Sequence, residues 1–320
     1  MSGDEARAAN RSADIGRRRF FVESAFLAAA AMTANGCAVH SARGSNELYR
    51  ISLAQWSLHR ALRGKQLDHL DFAAAARRDY GIDAVEYVNQ FFMDKALDRA
   101  FLREMKQRAD DAGVRSLLIM CDSEGNLGDV SEAARVQSVS NHHKWVEAAR
   151  YLGCHSIRVN AYSQADDPTE KMKLCADGLH RLAEFGDAHD INIIVENHGG
   201  ISSNGKWLTE TIRMGNHRRL GTLPDFGNFL VDSKTNEWYD RYAGVDQMMP
   251  YARGVSAKSM EFDSAGNETQ TDFRRMMKIV LAHGYHGHVG IEYEGDRLSE
   301  PDGIRATRDL LLRVRAELAA

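Results

Sequence analysis

The sequence is short of several features, and each shortage closes off a class of protein. Its four cysteines, Cys37, Cys121, Cys154 and Cys175, show no CxxC spacing, which sets aside a zinc ribbon or a disulfide scaffold. Cys121, Cys154 and Cys175 read as small core residues. Positive charge is not in excess: the formal net charge is -4, and no basic stripe for nucleic acid stands out. No apolar run reaches the ~20 residues that a membrane-spanning helix needs. No glycine-rich phosphate-binding fingerprint follows the first expected strand, where Trp56–Gly64 stands, so no nucleotide cofactor is expected. What remains is a globular composition, 43% hydrophobic and 27% charged, over 320 residues. That length suits one α/β barrel of roughly 250 residues with extras.

Residues 1–45 stand apart. Gly16–Phe21 reads Gly-Arg-Arg-Arg-Phe-Phe, a short apolar run covers Phe20–Met32, and Thr33–Cys37 are mostly small. A basic flank, a short apolar stretch and a small-residue exit are the parts of an export signal. The arginine pair before Phe20 is similar to a twin-arginine signal. Ala34-Asn35-Gly36-Cys37 loosely resembles a lipoprotein processing site, which makes a lipid anchor at Cys37 the one expected membrane contact. The alternative is an amphipathic or disordered arm. The expected organisation is thus a signal and arm over 1–45 and one domain over 46–320, exported to the periplasm; the oligomeric state is left open.

From Leu48 onward, short apolar runs alternate with longer stretches of helical periodicity. Strands are expected at Tyr49–Trp56, Ala84–Val88, Ser116–Cys121, Ser156–Asn160, Ile191–Glu196, Gly221–Pro224, Gly254–Lys258 and Val289–Glu292. Helices are expected at Leu67–Asp79, Asp94–Ala112, Ser131–Leu152, Pro168–His189, Lys206–Asn216, Glu237–Tyr251, Asp272–His283 and Gly303–Leu318. Gly113, Gly153 and Gly284 stand where helices should stop. Eight strand–helix units predict a single-domain α/β fold, a closed (β/α)8 TIM barrel.

In such a barrel the site forms at the C-terminal strand ends, and the chemically useful residues collect there. The second strand ends in Glu86 and Asn89, the fourth in Arg158 and Asn160, the fifth in Glu196-Asn197-His198. The sixth runs into Asp225-Phe226-Gly227-Asn228, the seventh carries Ser256 and Lys258, and the eighth carries Glu292 and Glu294. Residues two apart share a strand face, so Glu196 with His198, Ser256 with Lys258, and Glu292 with Glu294 can each face the mouth. Glu196, Asp225 and Glu292 would converge. Their repulsion would force protons onto them unless a cation intervenes, and oxygen ligation suits Mn²⁺, Mg²⁺, Zn²⁺ or Co²⁺. His198 reads as a ligand, a substrate contact or a donor to a ligand. Lys258 reads as an electrostatic clamp, a base or an ion-pair partner. Trp207, Trp238, Tyr239 and Phe91-Phe92 follow strand ends; one or two would wall a sugar face and the others pack.

Val195–Gly200, Leu223–Asn228, Val255–Lys258 and Gly290–Gly295 resemble the strand ends of the xylose isomerase-like barrels, a superfamily of sugar isomerases and epimerases, inosose dehydratases and apurinic endonucleases. The resemblance spans about residues 48–318. It implies a divalent metal on Glu196, Asp225 and Glu292. Family members commonly add a histidine where this chain has Ser256, so His198, Ser256 or water would complete the site. It also implies proton abstraction next to the carbonyl of a ketose or keto-sugar through an enediolate, with Glu196 and Glu292 exchanging the proton, assisted by Lys258. Glu86, Arg158, Asn160, His198, Asn228, Ser256 and Glu294 would hold a small carbohydrate. The rival readings are a lyase, dehydratase or hydratase acting on 3-keto-glycosides or inositol-like substrates, and a non-catalytic periplasmic sugar-binding barrel. A repair nuclease would need more strand-end histidines and a basic surface.

Overall fold

In the computed structural model, residues 47–320 are described; the expected export signal and Cys37 lie outside them. Ten strands occur in chain order: β1 (Arg50–Ala54), β2 (Ala84–Val88), β3 (Arg115–Met120), β4 (Ser156–Val159), β5 (Asn192–Glu196), β6 (Leu220–Leu223), β7 (Leu230–Asp232), β8 (Glu237–Trp238), β9 (Val255–Ser259) and β10 (His288–Tyr293). All but β7 and β8 form one parallel sheet in the order β6-β5-β4-β3-β2-β1-β10-β9. The two outer strands meet through Arg253 N to Thr222 O (3.0 Å), Ser256 N to Pro224 O (2.9 Å) and Phe226 N to Ser256 O (3.0 Å), which closes the ring. The fold is therefore the expected TIM barrel.

The helices are α1 (His59–Arg63), α2 (Phe72–Tyr80), α3 (Arg99–Asp111), α4 (Glu132–Leu152), α5 (Pro168–Ala188), α6 (Gly205–Gly215), α7 (Arg241–Met248), α8 (Phe273–Ala282) and α9 (Glu300–Ala319). Seven of these nine starts follow one rule. Asp98, Ser131, Asp167, Asn204, Asp240, Asp272 and Ser299 each accept a backbone N–H of the first turn, satisfying donors that the helix itself leaves free. Caps explain three departures from the expected bounds. The helix expected from Asp94 begins at Arg99, after the Asp98 cap. The one expected from Leu67 begins at Phe72, because Asp68 first caps a short 3-10 turn at His69–Asp71. The one expected from Glu237 begins at Arg241; Glu237 and Trp238 instead pair antiparallel with Leu230–Asp232 as a hairpin. Gly113, Gly153 and Gly284 do end their segments, all with positive φ.

Two apolar layers hold the barrel. The larger lies between the outer strand faces and the helices, with Trp145, Phe72, Leu102 and Ile193 among its buried members. The smaller fills the barrel itself: Ala54, Val88, Leu118, Met120, Ile194 and Leu223. Cys121, Cys154 and Cys175 are free and buried, as expected of small core residues. Among the described residues, no helix is long and apolar enough to cross a membrane.

Candidate active site

The site is assembled at the C-terminal ends of β5, β6, β9 and β10. Asn197, just past β5, ties two of these ends together. Its side-chain oxygen accepts from Asp225 N (2.8 Å) and its amide donates to Asp225 O and Asn228 O (3.0 Å each). Asp225 turns its Oδ1 back onto Gly227 N and Asn228 N (2.8 Å each). Its Oδ2 accepts from Ser256 Oγ at 2.7 Å, and the same hydroxyl lies 3.0 Å from Glu292 Oε2. Ser256 thus stands between two carboxylates. Oxygens of Glu196, Asp225 and Glu292 all lie within 4.8 Å of one another, and all three residues are buried.

Two cations flank this triad. Lys258 stands opposite Glu292 in the register between β9 and β10. Its Nζ is 3.1 Å from Glu294 Oε2 and 3.6 Å from Glu292 Oε1, and donates to Asn228 Oδ1 at 3.2 Å. Its stem lies across Gly227, where an added Cβ would come within 2.8 Å of Lys258 Cδ. Only glycine leaves that passage open. Arg158, from β4, pairs with Asp122 Oδ1 at 2.8 Å and lies 2.7 Å from Glu196 Oε2. The second contact is close but misdirected, so neither Arg158 Nε nor Glu196 Oε2 has a hydrogen-bond partner. Glu196 Oε1 accepts from Asn228 at 3.1 Å.

Burial sets the protonation of the triad. Loss of water pushes Glu196 up to about 7, the nearby Arg158 charge only partly offsetting it. Asp225 is likewise pushed up to about 7 by burial, against the pull of Lys258. Glu292 is also desolvated, yet Lys258, Arg158 and the Ser256 hydroxyl hold it below its ordinary value. Burial disfavours the Lys258 ammonium, but the carboxylates around it, Glu292 first, raise its pKa well above normal. Two resident cations therefore leave the triad short of positive charge. Three converging, buried carboxylate oxygens fit a hard divalent ion.

The expected residues are mostly brought together. Arg158, His198, Glu292 and Glu294 line a cavity of about 270 Å³ above the triad, walled on its apolar side by Trp56, Val88 and Met120. His198 is exposed at the mouth; partial enclosure of its ring, then the charges of Arg158 and Lys258, keep it toward the neutral form. Asn160 donates to Asp122 Oδ1 at 2.9 Å and lines an adjoining cavity with His198. Glu86 is the exception. Its side chain turns down the barrel, accepts from Ser52 Oγ at 2.6 Å and reaches the bare Cα of Gly290, so it does not line the mouth. Of the aromatics, Trp207 is buried and donates to Pro168 O, whereas Trp238 is exposed. Asp122 and Asn197 were not among the expected site residues. Asp122 directly follows the strand expected at Ser116–Cys121 and satisfies the same strand-end rule; Asn197 carries no signal beyond its position between Glu196 and His198.

The sequence profile of the xylose isomerase-like TIM barrel family matches residues 72–314. A comparison with curated protein sequences gives no match. Among solved structures, a xylose isomerase-like TIM barrel protein from Mycobacterium smegmatis in complex with magnesium is 17% identical, with a TM-score of 0.63 over 85% of this chain and 98% of its own. The IOLI protein with a binding zinc atom is 12% identical, TM-score 0.66, covering 84% of this chain and 98% of its own. A D-psicose 3-epimerase with D-tagatose from Clostridium cellulolyticum H10 is 10% identical, TM-score 0.64, covering 83% and 99%.

Proposed function

We propose that this chain, which belongs to the xylose isomerase-like TIM barrel family, is a sugar isomerase or epimerase that moves a proton next to the carbonyl of a ketose or keto-sugar. The observation that carries the reading is geometric: oxygens of Glu196, Asp225 and Glu292 lie within 4.8 Å of one another, with Lys258 3.6 Å from Glu292 and Arg158 2.7 Å from Glu196. Two carboxyl groups set this close to one reacting carbon can divide the work, one taking a proton and the other returning it. Glu196 and Glu292 are the proton-transfer pair in this reading. Lys258 and Arg158 face the oxygen that becomes negative as the enediolate forms, inside an apolar-walled cavity where charge interactions are strong. Asn160, Asn228, His198, Glu294 and Ser256 hold the sugar hydroxyls or orient the carboxylates.

Glu196, Asp225 and Glu292 would hold a divalent ion, which when bound supplies Lewis-acid stabilisation of developing oxyanion charge. Its identity is part of the test. The relatives described above, one with magnesium and one with zinc, support a metal without selecting one. Export is proposed on the basic and apolar pattern of Gly16–Cys37; a chain that stays cytoplasmic and uncleaved on fractionation would remove that part alone.

The decisive experiment is solvent exchange. The protein, with each of Mg²⁺, Mn²⁺, Co²⁺ and Zn²⁺, is incubated in D₂O with D-fructose, D-tagatose and D-psicose and followed by NMR. Deuterium entering a carbon next to the carbonyl, and lost in Glu196→Gln, is the expected result. No exchange with any ketose or metal ends the proton-transfer reading.

A further inference from the structure

We propose that the substrate carries a second ring beyond the reacting sugar, and that this ring, a glycosyl unit, lies on the indole of Trp238. The proposal rests on the reading above for the identity of the reacting sugar, but its own support is a separate part of the molecule.

That part is the hairpin of β7 and β8, inserted between β6 and α7. Trp238 on β8 is 51% exposed, yet it is not a loose side chain. Its Nε1 donates to Asn236 Oδ1 at 2.9 Å, and Asn236 itself turns the hairpin with a φ of 54°. Tyr239 N, next along, donates to Phe229 O at 2.9 Å. Phe229 is fully buried against Gly244, where any Cβ would strike its ring. The indole is thus carried on an anchored base and about half of the residue is left to water. A large aromatic held in this way loses hydration cost only when something covers it, and the apolar face of a pyranose ring does so while its hydroxyls stay wet.

The surroundings say where that cover comes from. Trp238 and Leu230 line a groove of about 480 Å³ together with Asn228, Lys258 and Glu294. Those three polar residues belong to the candidate active site, and Glu294 also lines the cavity of about 270 Å³ above the triad. The groove therefore opens directly off the place of reaction. Each compartment has an aromatic and polar groups: Trp56 with Arg158, His198 and Glu292 in the first, Trp238 with Asn228, Lys258 and Glu294 in the second. A single hexose engages the first and leaves the second empty; a sugar bearing a glycosyl group reaches both.

The test compares D-fructose with turanose, maltulose and isomaltulose, which are fructose carrying a glucose ring at different hydroxyls. Binding to the metal-loaded full chain is read by calorimetry and by quenching of tryptophan fluorescence. The expected result is at least a tenfold preference for one glucosyl-fructose over fructose. That ratio should fall toward one in Trp238→Ala and be largely kept in Trp238→Phe. Equal binding of fructose and all three disaccharides, or a preference untouched by Trp238→Ala, overturns the proposal. Deuterium exchange on fructose is measured in the same samples. Preference without exchange would remove the isomerase reading and keep the second-ring site; exchange without preference would do the reverse.

Discussion

The inside of the barrel has two walls of opposite chemistry. On β1, β2 and β3 the apolar interior is made by Ala54, Val88, Leu118 and Met120; across from them, above Ile194 and Leu223, the ends of β5, β6, β9 and β10 present Glu196, Asp225, Ser256, Lys258 and Glu292. Neither wall makes sense alone. The apolar wall excludes water, which strengthens every charge interaction facing it and pushes Glu196 and Asp225 to about 7. The charged wall would repel itself apart without Lys258 and Arg158 between its carboxylates. The comparison teaches that protonation here is set jointly, burial raising Glu196 and Asp225 while the cations of the charged wall lower Glu292.

The largest expected effect is on the charged wall. Glu196→Gln should lower solvent exchange into the ketose by about 10²–10⁴-fold, the usual worth of a positioned acid–base group. Metal content by elemental analysis should fall with it, as it should in Asp225→Asn. Retention of both exchange and metal would assign the chemistry to other residues. On the apolar wall, Leu118→Ala should cost about 2–5 kcal/mol of stability by opening a cavity, read by denaturant unfolding. Metal binding below the transition should survive. If Leu118→Ala instead abolished metal binding while folded, the division between the walls would be wrong.

A third change sharpens the charged wall. Ser256→His places an imidazole where the resemblance set out above leads to an expected histidine, and exchanges a hydroxyl between Asp225 and Glu292 for a ligand nitrogen. Zinc affinity by chelator competition should rise about tenfold, roughly 1.4 kcal/mol. Weaker zinc binding in a folded variant would show that the hydroxyl is the better neighbour for the triad.

A last change, read as a slope against pH, separates the mouth from the layer beneath it. Glu86 is buried with one oxygen unpartnered, and burial raises it to about 7. Its folded value lies above its unfolded one, so its contribution is full below about pH 4.5 and is lost as pH rises through 7. Between those limits the loss is at most ~1.4 kcal/mol per pH unit. Glu86→Gln should therefore flatten the fall in melting temperature between pH 5 and 8. An unchanged slope would mean that Glu86 is paired in solution.

Much of this was legible before the fold was known. Ala84–Val88 matches its strand without error, and the expected end of β5 at Glu196 is where it stops, because uninterrupted buried strands announce themselves as apolar runs. The carboxylates were found because barrel sites sit at strand ends. Other features were not legible for physical reasons. The two-residue strand Glu237–Trp238 is too short to show any periodicity, so it merged with the helix that follows. The strand-end position drew Glu86 to the mouth as a substrate contact, but it could not say whether the side chain turns up to the mouth or down to Ser52. That choice depends on Gly290, 204 positions away, leaving room for its carboxyl group.

The sequence by itself determined the eight strand–helix units and which strand ends carry acid, base and hydroxyl groups, since these follow from local patterns of burial and spacing. Only the tertiary structure decided the partners: Ser256 between Asp225 and Glu292, Lys258 laid across Gly227 to Glu294, Arg158 shared by Asp122 and Glu196, and Trp238 standing over the adjoining groove. Those pairings join residues from different strands and loops. Ring closure brings them within hydrogen-bonding distance, and the exclusion of water sets their charges, neither of which a local stretch of sequence contains.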